Sequence, residues 1–405
     1  MAVYFNKNRI IDFRTKKSIS VKLRALQKLI CFAGTTFICN ISYIFWNLIK
    51  IFNQASLFSK PKRVIILGFG GIGNHVMLTP AIKNLKKTFP EINLHLVVTS
   101  SACAEILENN IDIDSLSIAN IGLMNRLSKY FAVGLNLRDL KPDVVISAAG
   151  TDPVAGSIIS FISGARNRIG EDWRGRGFLF TLRVKANSKI SEIEQNIRLF
   201  SLIGAKRITF SPILYLTEDE ICEARRWLKE LEFPTGAKII GIHPGSGKGQ
   251  TWKRWDIENF VAVTRKITLL SKVRVIIFLG PDETELYDIL NSAKLRFTKI
   301  LKGNDSIRET AAKISLCHSF LSNDSGLRHI AMALNVNSIG IFGPTSIEKN
   351  HYGGGNHKTI STSNVLCCPC HFTSWWLACG NTKPCLKSID PEDVAQELMG
   401  TFNRN

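Results

Sequence analysis

Four loops in the second half of the sequence combine small residues with charged side chains directly after short apolar runs. The residues in these loops that suit a charged ligand are Ser246, Gly247, Lys253, Glu283, Asp324, Ser325, Gly326 and His329. Glycine and serine leave backbone N–H groups free to bind an anion, and Lys253 adds positive charge. This chemistry suits a diphosphate, because the negative charge on a diphosphate grows when its bond to a sugar breaks.

Each of these loops, taken alone, could be a turn or a helix cap. Asp324, for example, stands where a residue that only caps the following helix would stand. Four such loops follow successive strands of one predicted sheet, however, and a shared binding site accounts for all of them together. The sequence therefore predicts an anion-binding site in its second half.

The first half contains one glycine-rich loop, Gly68-Phe-Gly-Gly-Ile-Gly73, between a predicted strand and a predicted helix. Its spacing matches the GxGxxG motif that binds the pyrophosphate of NAD in oxidoreductases. That motif expects an acidic residue at the end of the next strand to hold the ribose, but the sequence there is Val98-Thr99-Ser100. An NAD(P)-dependent oxidoreductase is therefore the alternative function, and a glycine turn that only packs the strand on the helix is also compatible.

Short apolar runs alternate with amphipathic helical patterns from residue 63 onward, which predicts parallel sheets covered by helices. The predicted strands are Arg63–Leu67, Asn93–Val98, Asp143–Ser147, Lys238–His243, Val273–Leu279, Ser319–Leu321 and Ser338–Phe342. The predicted helices are one ending near Phe89, then Glu218–Leu231, Ile257–Leu269, Glu283–Leu290, Ser306–Ile314, Leu327–Leu334 and one beginning near Pro391. Ligands of open parallel sheets bind at the carboxyl ends of the strands, where all the loops named above are found.

The chain of 405 residues is too long for one ordinary compact domain. Its 45% of hydrophobic and 21% of charged residues are typical of a folded protein. We predict a basic and apolar helical extension at 1–60, one Rossmann-like domain at 61–215, and a second at 216–405 that ends in a cysteine-rich tail.

The order of the motifs resembles glycosyltransferase family 9, the heptosyltransferase family of lipopolysaccharide core assembly. The matching segments are HPGS followed by KRW, then GPDE, NDSGLRH and FGPT, and, in the first half, Gly73-Asn-His-Val-Met-Leu-Thr-Pro-Ala81. The resemblance extends from about residue 63 to the end. It implies the GT-B fold, in which two doubly wound domains enclose a cleft. It also implies an inverting glycosyltransferase that needs no metal ion or other cofactor, takes a nucleotide-diphosphate sugar as co-substrate, and transfers the sugar to a glycan or lipid-linked acceptor.

The resemblance also implies roles for single residues. Lys253, with Ser246 and Gly247, would contact the donor phosphates in the C-terminal domain. Glu283 would hold the nucleotide ribose, with Glu285 as a substitute. The residues that would line the sugar and the diphosphate are Asp324, Ser325, Gly326 and His329.

The N-terminal domain would bind the acceptor through a loop containing Gly71, Gly73 and Asn74, and this loop departs from the family at one position. The family carries an aspartate there, which acts as the general base on the acceptor hydroxyl. Asn74 cannot take that role, because an amide does not accept a proton at neutral pH. The departure leaves open a shifted base, a different acceptor or an inactive member.

Several residues near this loop are candidates for the missing base. His75 has a suitable intrinsic pKa, although on a helix it would point about 100° away from Asn74. The acidic candidates, in or beyond the loop after Ser147, are Asp152, Glu171 and Asp172.

The charge of the chain is concentrated at its start. Residues 1–63 carry +11 of the net charge of +19, and an uncharged run of 21 residues lies between Lys28 and Lys50. That run is long enough to span a bilayer, but its polar residues fall on one helical face, which favours a helix lying on an acidic membrane surface. A spanning helix and an ordinary packed helix stay open. We therefore predict a cytoplasmic protein, peripheral or anchored at the inner face of the cytoplasmic membrane. No nucleic-acid-binding module is recognised, so nucleic acid is not a predicted partner.

Five of the ten cysteines lie in the tail, at Cys367, Cys368, Cys370, Cys379 and Cys385. The spacing of Cys367, Cys370, Cys379 and Cys385 could supply a four-thiolate zinc or iron–sulfur site. Reduced structural thiols are the simpler interpretation for a cytosolic protein. The sequence leaves this choice open, together with the identity of the sugar, the nucleotide and the acceptor, and the oligomeric state.

Overall fold

The structure is a computed structural model that describes residues 60–403, apart from 122–125, 248, 271, 353, 355, 363–364, 366, 372–378 and 380–381. The predicted extension at 1–60, except for Lys60, lies outside the described residues, as does the uncharged run at 29–49. Within the described part of the chain, no helix combines the length and the apolar character needed to cross a membrane.

The first half is built on a six-stranded parallel sheet. Its strands are β1 (Arg63–Leu67), β2 (Asn93–Val98), β3 (Ser115–Ile118), β4 (Val144–Ser147), β5 (Asn167–Asp172) and β6 (Leu182–Lys185). They lie in the order β3-β2-β1-β4-β5-β6. The central strands β1, β2 and β4 are buried along almost their whole length, which is why they are continuous apolar runs in the sequence.

The second half repeats this arrangement. Its strands are β7 (Lys238–His243), β8 (Val273–Phe278), β9 (Thr298–Leu301), β10 (Ser319–Asn323), β11 (Asn337–Ile341) and β12 (His357–Ile360). They lie in the order β12-β11-β10-β7-β8-β9, again with parallel neighbours. Read from the other edge, this is the strand order of the first half, so the chain contains two copies of one doubly wound topology.

Helices connect the strands. Those of the first half are α1 (Ile72–Thr88), α2 (Ser101–Glu105), α3 (Arg126–Arg138), α4 (Pro153–Ile162) and α5 (Glu192–Ser201). Those that follow are α6 (Glu218–Glu230), α7 (Ile257–Ile267), α8 (Thr284–Ser292), α9 (Ile307–Ser315), α10 (Gly326–Ala333), α11 (Ile347–Asn350), α12 (Pro384–Lys387) and α13 (Pro391–Gly400). Capping boxes at Thr217 and Ser306 fix the starts of α6 and α9.

The predicted organisation into two α/β halves is confirmed. Every predicted strand and helix is present, with ends that differ by no more than about two residues; β10, for example, runs on to Asn323 rather than ending at Leu321. The strands that the sequence analysis missed are β3, β5, β6, β9 and β12. Four of these, β3, β6, β9 and β12, are the edge strands of the two sheets, and their side chains are largely half-exposed. The fifth, β5, lies next to an edge.

Each sheet has one point at which the direction of strand succession reverses, between β1 and β4 in the first half and between β7 and β10 in the second. In doubly wound sheets, ligands bind outside the carboxyl ends of the strands at this point. The segments that follow these four strands carry Asn74, Gly150, Lys253 and Asp324. The topology therefore brings residues from widely separated parts of the sequence to two corresponding positions.

The two halves meet where the N-termini of α1 and α10 face each other. A Cβ on Gly73 would lie 2.6 Å from Cδ2 of His329, and a Cβ on Gly326 would lie 3.2 Å from Cβ of Ile72. Each helix start therefore needs a glycine so that the opposing half can approach this closely. The two switch points consequently lie close to each other.

Candidate functional site

A cleft of about 830 Å³ lies beside the switch-point loops, between the two halves. The first half contributes residues after β4, at the end of β5 and in the first turn of α5, including Glu171 and Glu192. The second half contributes α11 with Lys349 and Asn350, and His371 of the tail. Charged side chains from both halves therefore face one shared space.

Lys253 and Asp324 come together at the second switch point. Lys253 ends the 3₁₀ turn Thr251–Lys253, and its Nζ lies 3.8 Å from Oδ2 of Asp324. The same carboxylate oxygen accepts a hydrogen bond of 3.2 Å from Nδ2 of Asn350, which lines the cleft. The loops after β7 and β10 thus hold a lysine and a carboxylate, both largely buried, next to the space between the halves.

The N-terminus of α10 presents a hydroxyl group that no described residue uses. Ser325 is the N-cap of this helix, yet its side chain makes no capping hydrogen bond. Its Oγ is buried and has no hydrogen-bond partner among the described residues, and the same is true of Oγ1 of Thr345 in the loop after β11. Buried hydroxyls are normally paired. Ser325 lies at the positive end of a helix dipole, so its hydroxyl is a ready partner for an anionic ligand.

Glu283 ties together the loops after β7 and β8. Its Oε1 accepts the Ser246 N–H at 2.7 Å, and its Oε2 accepts the Gly280 N–H at 2.7 Å. Arg254 donates to the same Oε1 at 3.3 Å and to Oγ of Ser246 at 3.0 Å. Both carboxylate oxygens of Glu283 therefore hold protein loops in place. The contact with a ribose that the resemblance implied stays a prediction.

His329 lies deep in the contact between the halves. Its ring stacks on Tyr352 with centroids 5.8 Å apart, and its Nε2 lies 3.9 Å from Oδ1 of Asp324. Burial and the neighbouring Arg328 lower the pKa of His329 to about 3, so the imidazole is neutral at physiological pH. In this state it packs against Gly73 without adding a charge to the interface.

Asn74 links the glycine-rich loop to a buried carboxyl group. Its Oδ1 accepts the Gly71 N–H at 2.9 Å, and its Nδ2 donates to Oε1 of Glu192 at 2.6 Å. Glu192 is the first residue of α5 and is only 2% exposed, yet it lines the cleft. The position where the family carries an acid thus holds an amide that binds an acid from another helix.

The protonation of Glu192 is sensitive to pH near neutrality. Burial raises its pKa to about 7, and the nearby carboxylates of Glu171 and Asp324 act in the same direction. Lys349 and the hydrogen bond from Asn74 oppose this shift. Glu192 can therefore hold or release a proton in the range where most enzymes operate.

The structure does not bring His75 to the cleft. The residue is 1% exposed, with Nδ1 2.8 Å from the Gly71 carbonyl oxygen and Nε2 2.9 Å from the Gly68 carbonyl oxygen. Burial lowers the pKa of His75, while the two carbonyl contacts raise it. Because both ring nitrogens lie against carbonyl oxygens of its own loop, His75 packs within that loop and does not face the cleft.

The acidic candidates differ in position. Asp152 lines the cleft, but its Oδ1 caps α4 by accepting two backbone N–H groups at 2.8 and 3.3 Å. Glu171 also lines the cleft and accepts the Gly150 N–H at 3.4 Å, and burial raises its pKa. Asp172 borders a different surface pocket, where it lies 3.9 Å from Arg183.

Close packing explains two glycines of the GxGxxG loop. A Cβ on Gly70 would lie 2.5 Å from Cβ of Asn74, so glycine is needed for Asn74 to fold back over the loop. Gly73 is needed for the approach of His329, as described above. The motif that suggested a dinucleotide therefore has a structural explanation within this chain.

The cleft residues that were not singled out from the sequence include Glu192, Lys349 and Asn350. Ser191 predicts a helix start before Glu192, but acidic residues are common in first turns because they suit the helix dipole. Nothing in the local sequence distinguishes a buried Glu192 from an exposed one. For Lys349 and Asn350 there is a signal, since they follow closely after the FGPT motif.

The tail cysteines lie near one another. The neighbouring Cys368 lowers the pKa of the Cys385 thiol to about 7, whereas burial raises the pKa of Cys370 to about 11. Among the described residues, no group of three or more His, Cys, Asp or Glu side chains is arranged to hold a metal ion. Residues 372–378 lie outside the described part, and the four-thiolate site stays a prediction.

Comparison with known proteins gives a consistent result. The model of glycosyltransferase family 9 (heptosyltransferase) matches residues 131–373. A lipooligosaccharide heptosyltransferase 2 from Campylobacter jejuni is 24% identical over 350 residues, which cover 82% of this chain and 96% of that protein. A second C. jejuni protein of the same name is 29% identical over 167 residues, so the chain matches about half (51%) of its length and 40% of its own.

Two solved structures share the architecture. A family 9 glycosyltransferase from Veillonella parvula superimposes with a TM-score of 0.72 at 17% identity, over 85% of this chain and 98% of that one. The ADP-heptose LPS heptosyltransferase II of Escherichia coli gives a TM-score of 0.66 at 19% identity, over 84% and 98%. These similarities confirm the GT-B fold.

Proposed function

The chain belongs to glycosyltransferase family 9, and from this premise we propose that it transfers a heptose from ADP-heptose to a sugar hydroxyl of a lipopolysaccharide or lipooligosaccharide core. The donor is the one named for the E. coli enzyme of the same fold. The acceptor class is the one named for the C. jejuni relatives. Inversion at the sugar carbon and independence of metal ions are part of the proposal because the family resemblance implies both.

One observation carries the proposal: a cationic switch point in the second half and an acid-containing one in the first half both adjoin one cleft. In the second half, Lys253 lies beside Asp324, whose carboxylate binds the cleft residue Asn350, next to the Ser325 end of α10. In the first half, Asn74 binds Glu192, which lines the cleft. This is the separation of tasks that a glycosyltransferase needs, because one side must accept the charge of a departing diphosphate and the other must handle an acceptor hydroxyl.

The reaction requires that the acceptor oxygen bond to C1 of the heptose as the bond from C1 to the diphosphate breaks. The electron pair of the broken bond leaves with ADP, so negative charge grows on the diphosphate. In this proposal, Lys253 and the N-terminal N–H groups of α10 stabilise that charge. Asp324, held by Asn350, keeps Lys253 in position.

A thermal-stability screen of nucleotide-sugars tests the proposal. We expect ADP-heptose and ADP to raise the melting temperature, since a ligand at 100 times its dissociation constant contributes about 2.7 kcal/mol. UDP-sugars and NADH serve as matched controls and are expected to have little effect. Heptose transfer from the stabilising donor to a core oligosaccharide is then measured by mass spectrometry. Stabilisation by NADH, or no transfer from any ADP-linked sugar, would contradict the proposal.

We further propose that the enzyme works at the cytoplasmic face of the membrane that carries its acceptor. The basic charge at 1–63 supports this. So does α3, on which Leu127, Phe131 and Leu135 recur every four residues, each more than half exposed. Residues at this spacing share one helical face, so α3 offers an apolar stripe to a lipid surface.

Vesicle sedimentation tests this attachment. We expect the full chain to sediment with vesicles rich in phosphatidylglycerol at low salt and to be released at high salt, because screening weakens the contact with anionic headgroups. Phe131→Glu should weaken sedimentation, and Ile289→Glu, at an exposed apolar residue of the other half, should not. A full chain that stays in the supernatant at low salt would refute attachment.

A further inference from the structure

We propose that Glu192 is the general base of this transferase, which removes the proton from the acceptor hydroxyl, and that Asn74 positions its carboxylate. This inference rests on the transfer reaction proposed above. Glu192, which accepts the proton of the acceptor hydroxyl in this proposal, lies 118 positions away from Asn74 in the sequence.

The amide of Asn74 is fully used by the protein. Its oxygen binds the Gly71 N–H, and its nitrogen binds Glu192. This orientation is set by the loop, because the Gly71 N–H requires the oxygen and so turns the NH₂ group toward Glu192. The loop therefore presents a hydrogen-bond donor to Oε1 of Glu192, which orients the carboxylate.

Of the two carboxylate oxygens of Glu192, one is bound within the described part of the protein and the other is not. Asn74 engages Oε1, and no hydrogen bond from a described residue reaches Oε2. One turn further along α5, Oδ1 of Asn196 accepts the Ala149 N–H at 2.8 Å, which fixes the helix against the loop after β4. Oε2 is therefore the atom that can receive a proton from a ligand in the cleft.

Gly150 keeps the approach to this carboxylate open. It adopts a φ of +82°, and a Cβ there would lie 2.9 Å from Nδ2 of Asn74 and 3.2 Å from Oε1 of Glu192. Any side chain at this position would press on the hydrogen bond between the two residues. A glycine at this point of the β4 loop thus leaves the Asn74–Glu192 pair intact beside the cleft.

The charged groups that face Glu192 belong to three different elements. They are Lys349 of α11, Glu171 of β5 and Asp324 before α10. Two carboxylates and burial favour the protonated form, and Lys349 opposes them. Because these effects on its pKa oppose each other, a substantial fraction of Glu192 is ionised at neutral pH. The ionised carboxylate then accepts a proton more readily than an exposed carboxylate does.

The other candidate bases are less well placed. His75 uses both ring nitrogens within its own loop. One carboxylate oxygen of Asp152 caps α4. Glu171 is the real competitor, because it also lines the cleft and is also buried, but it is not bound by Asn74.

The proposed step moves one proton and exchanges one bond at C1 of the heptose. The acceptor hydroxyl gives its proton to Oε2 of Glu192 while its oxygen forms the bond to C1 of the heptose. The bond between C1 and the diphosphate breaks, and its electron pair leaves with ADP. Glu192 then returns the proton to solvent when the cleft opens or the product departs.

Glu192→Gln tests the assignment, because it keeps the shape of the side chain and removes the proton acceptor. We expect kcat to fall on the order of 100-fold or more, the range for loss of a general base. The melting-temperature increase with ADP, which reports folding and donor binding, should be retained. The matched control is Glu194→Gln on the same helix, where the carboxylate binds Arg198 and Arg207 instead; it should keep wild-type kcat.

The pH profile gives a second readout. Because the base must be ionised, wild-type kcat should rise with pH through an apparent pKa near 7. That rise should be absent in Glu192→Gln. In Asn74→Ala, Glu192 loses a hydrogen bond that lowers its pKa, so the rise should move to higher pH. A merely structural Asn74 would leave the position of the rise unchanged.

The outcomes separate the two proposals. If the wild type transfers heptose and Glu192→Gln keeps more than a third of its kcat with the same pH profile, Glu192 is not the base and the proposed function stands. The same conclusion follows if Glu171→Gln alone removes the rise with pH. If the wild type transfers no sugar, the proposed function itself fails and this inference fails with it.

Discussion

Lys253→Ala should lower kcat on the order of 100- to 1,000-fold, the effect of removing one group that stabilises a developing anion. Lys253 provides a positive charge next to the α10 N-terminus, where we place the diphosphate. Its partner Asp324 keeps a hydrogen bond from Asn350 in the variant. The loss of charge should therefore affect the transition state much more than the folded state. Initial rates of heptose transfer at saturating ADP-heptose measure it.

Two further variants make this test specific. Lys253→Arg keeps the charge and should lose clearly less activity than the alanine variant. Lys266→Ala removes an exposed lysine of α7 that pairs with Glu392 on the surface, and it should behave as wild type. A Lys253→Ala enzyme whose kcat stays within threefold of wild type would show that another group meets the diphosphate charge.

Glu283→Ala should lower the free energy of unfolding by about 3–5 kcal/mol, the effect of breaking a buried charged pair. The substitution leaves the N–H groups of Ser246 and Gly280 without their acceptor and removes one of the carboxylates that bind the buried Arg254. Because these bonds hold the loop that we propose to contact the donor phosphates, donor binding should weaken as well. Chemical denaturation and ADP titration measure the two effects.

The control for this variant shares the same arginine. Glu285 binds Arg254 at 2.9 Å, but its side chain is 67% exposed, so Glu285→Ala should change stability by less than about 1 kcal/mol. If Glu283→Ala instead weakens ADP binding without any loss of stability, Glu283 acts on the nucleotide directly, as the family resemblance implies.

The central strands could be located from the sequence because strands that are buried on both faces have mostly apolar residues. β1 and β7 are largely apolar on both faces, and a run with this composition has few other structural interpretations. Edge strands such as β6 and β12 have mostly half-exposed side chains. Their mixed composition resembles that of a loop, which is why the sequence analysis missed them.

The donor side of the site could be predicted for a similar reason. Lys253, Asp324 and Ser325 lie in short loops whose glycines and prolines mark them in the sequence. Glu192 could not be found this way, because its importance comes from burial and from contact with a residue of another helix, both of which are tertiary properties. His75 is the opposite case, because the sequence suggested it but the structure does not support it. Its intrinsic pKa suits a base, yet both of its ring nitrogens lie against carbonyl oxygens of its own loop.

At the start of α1, the absence of a methyl group at Gly73 determines how closely the two halves approach each other. With hydrogen at position 73, the imidazole of His329 lies close to the backbone of the opposite half, so the two halves touch near the place where we propose that the two substrates meet. Any larger group there would act as a wedge. It would move the two halves apart, and the proposed donor and acceptor sites would be separated by the same movement.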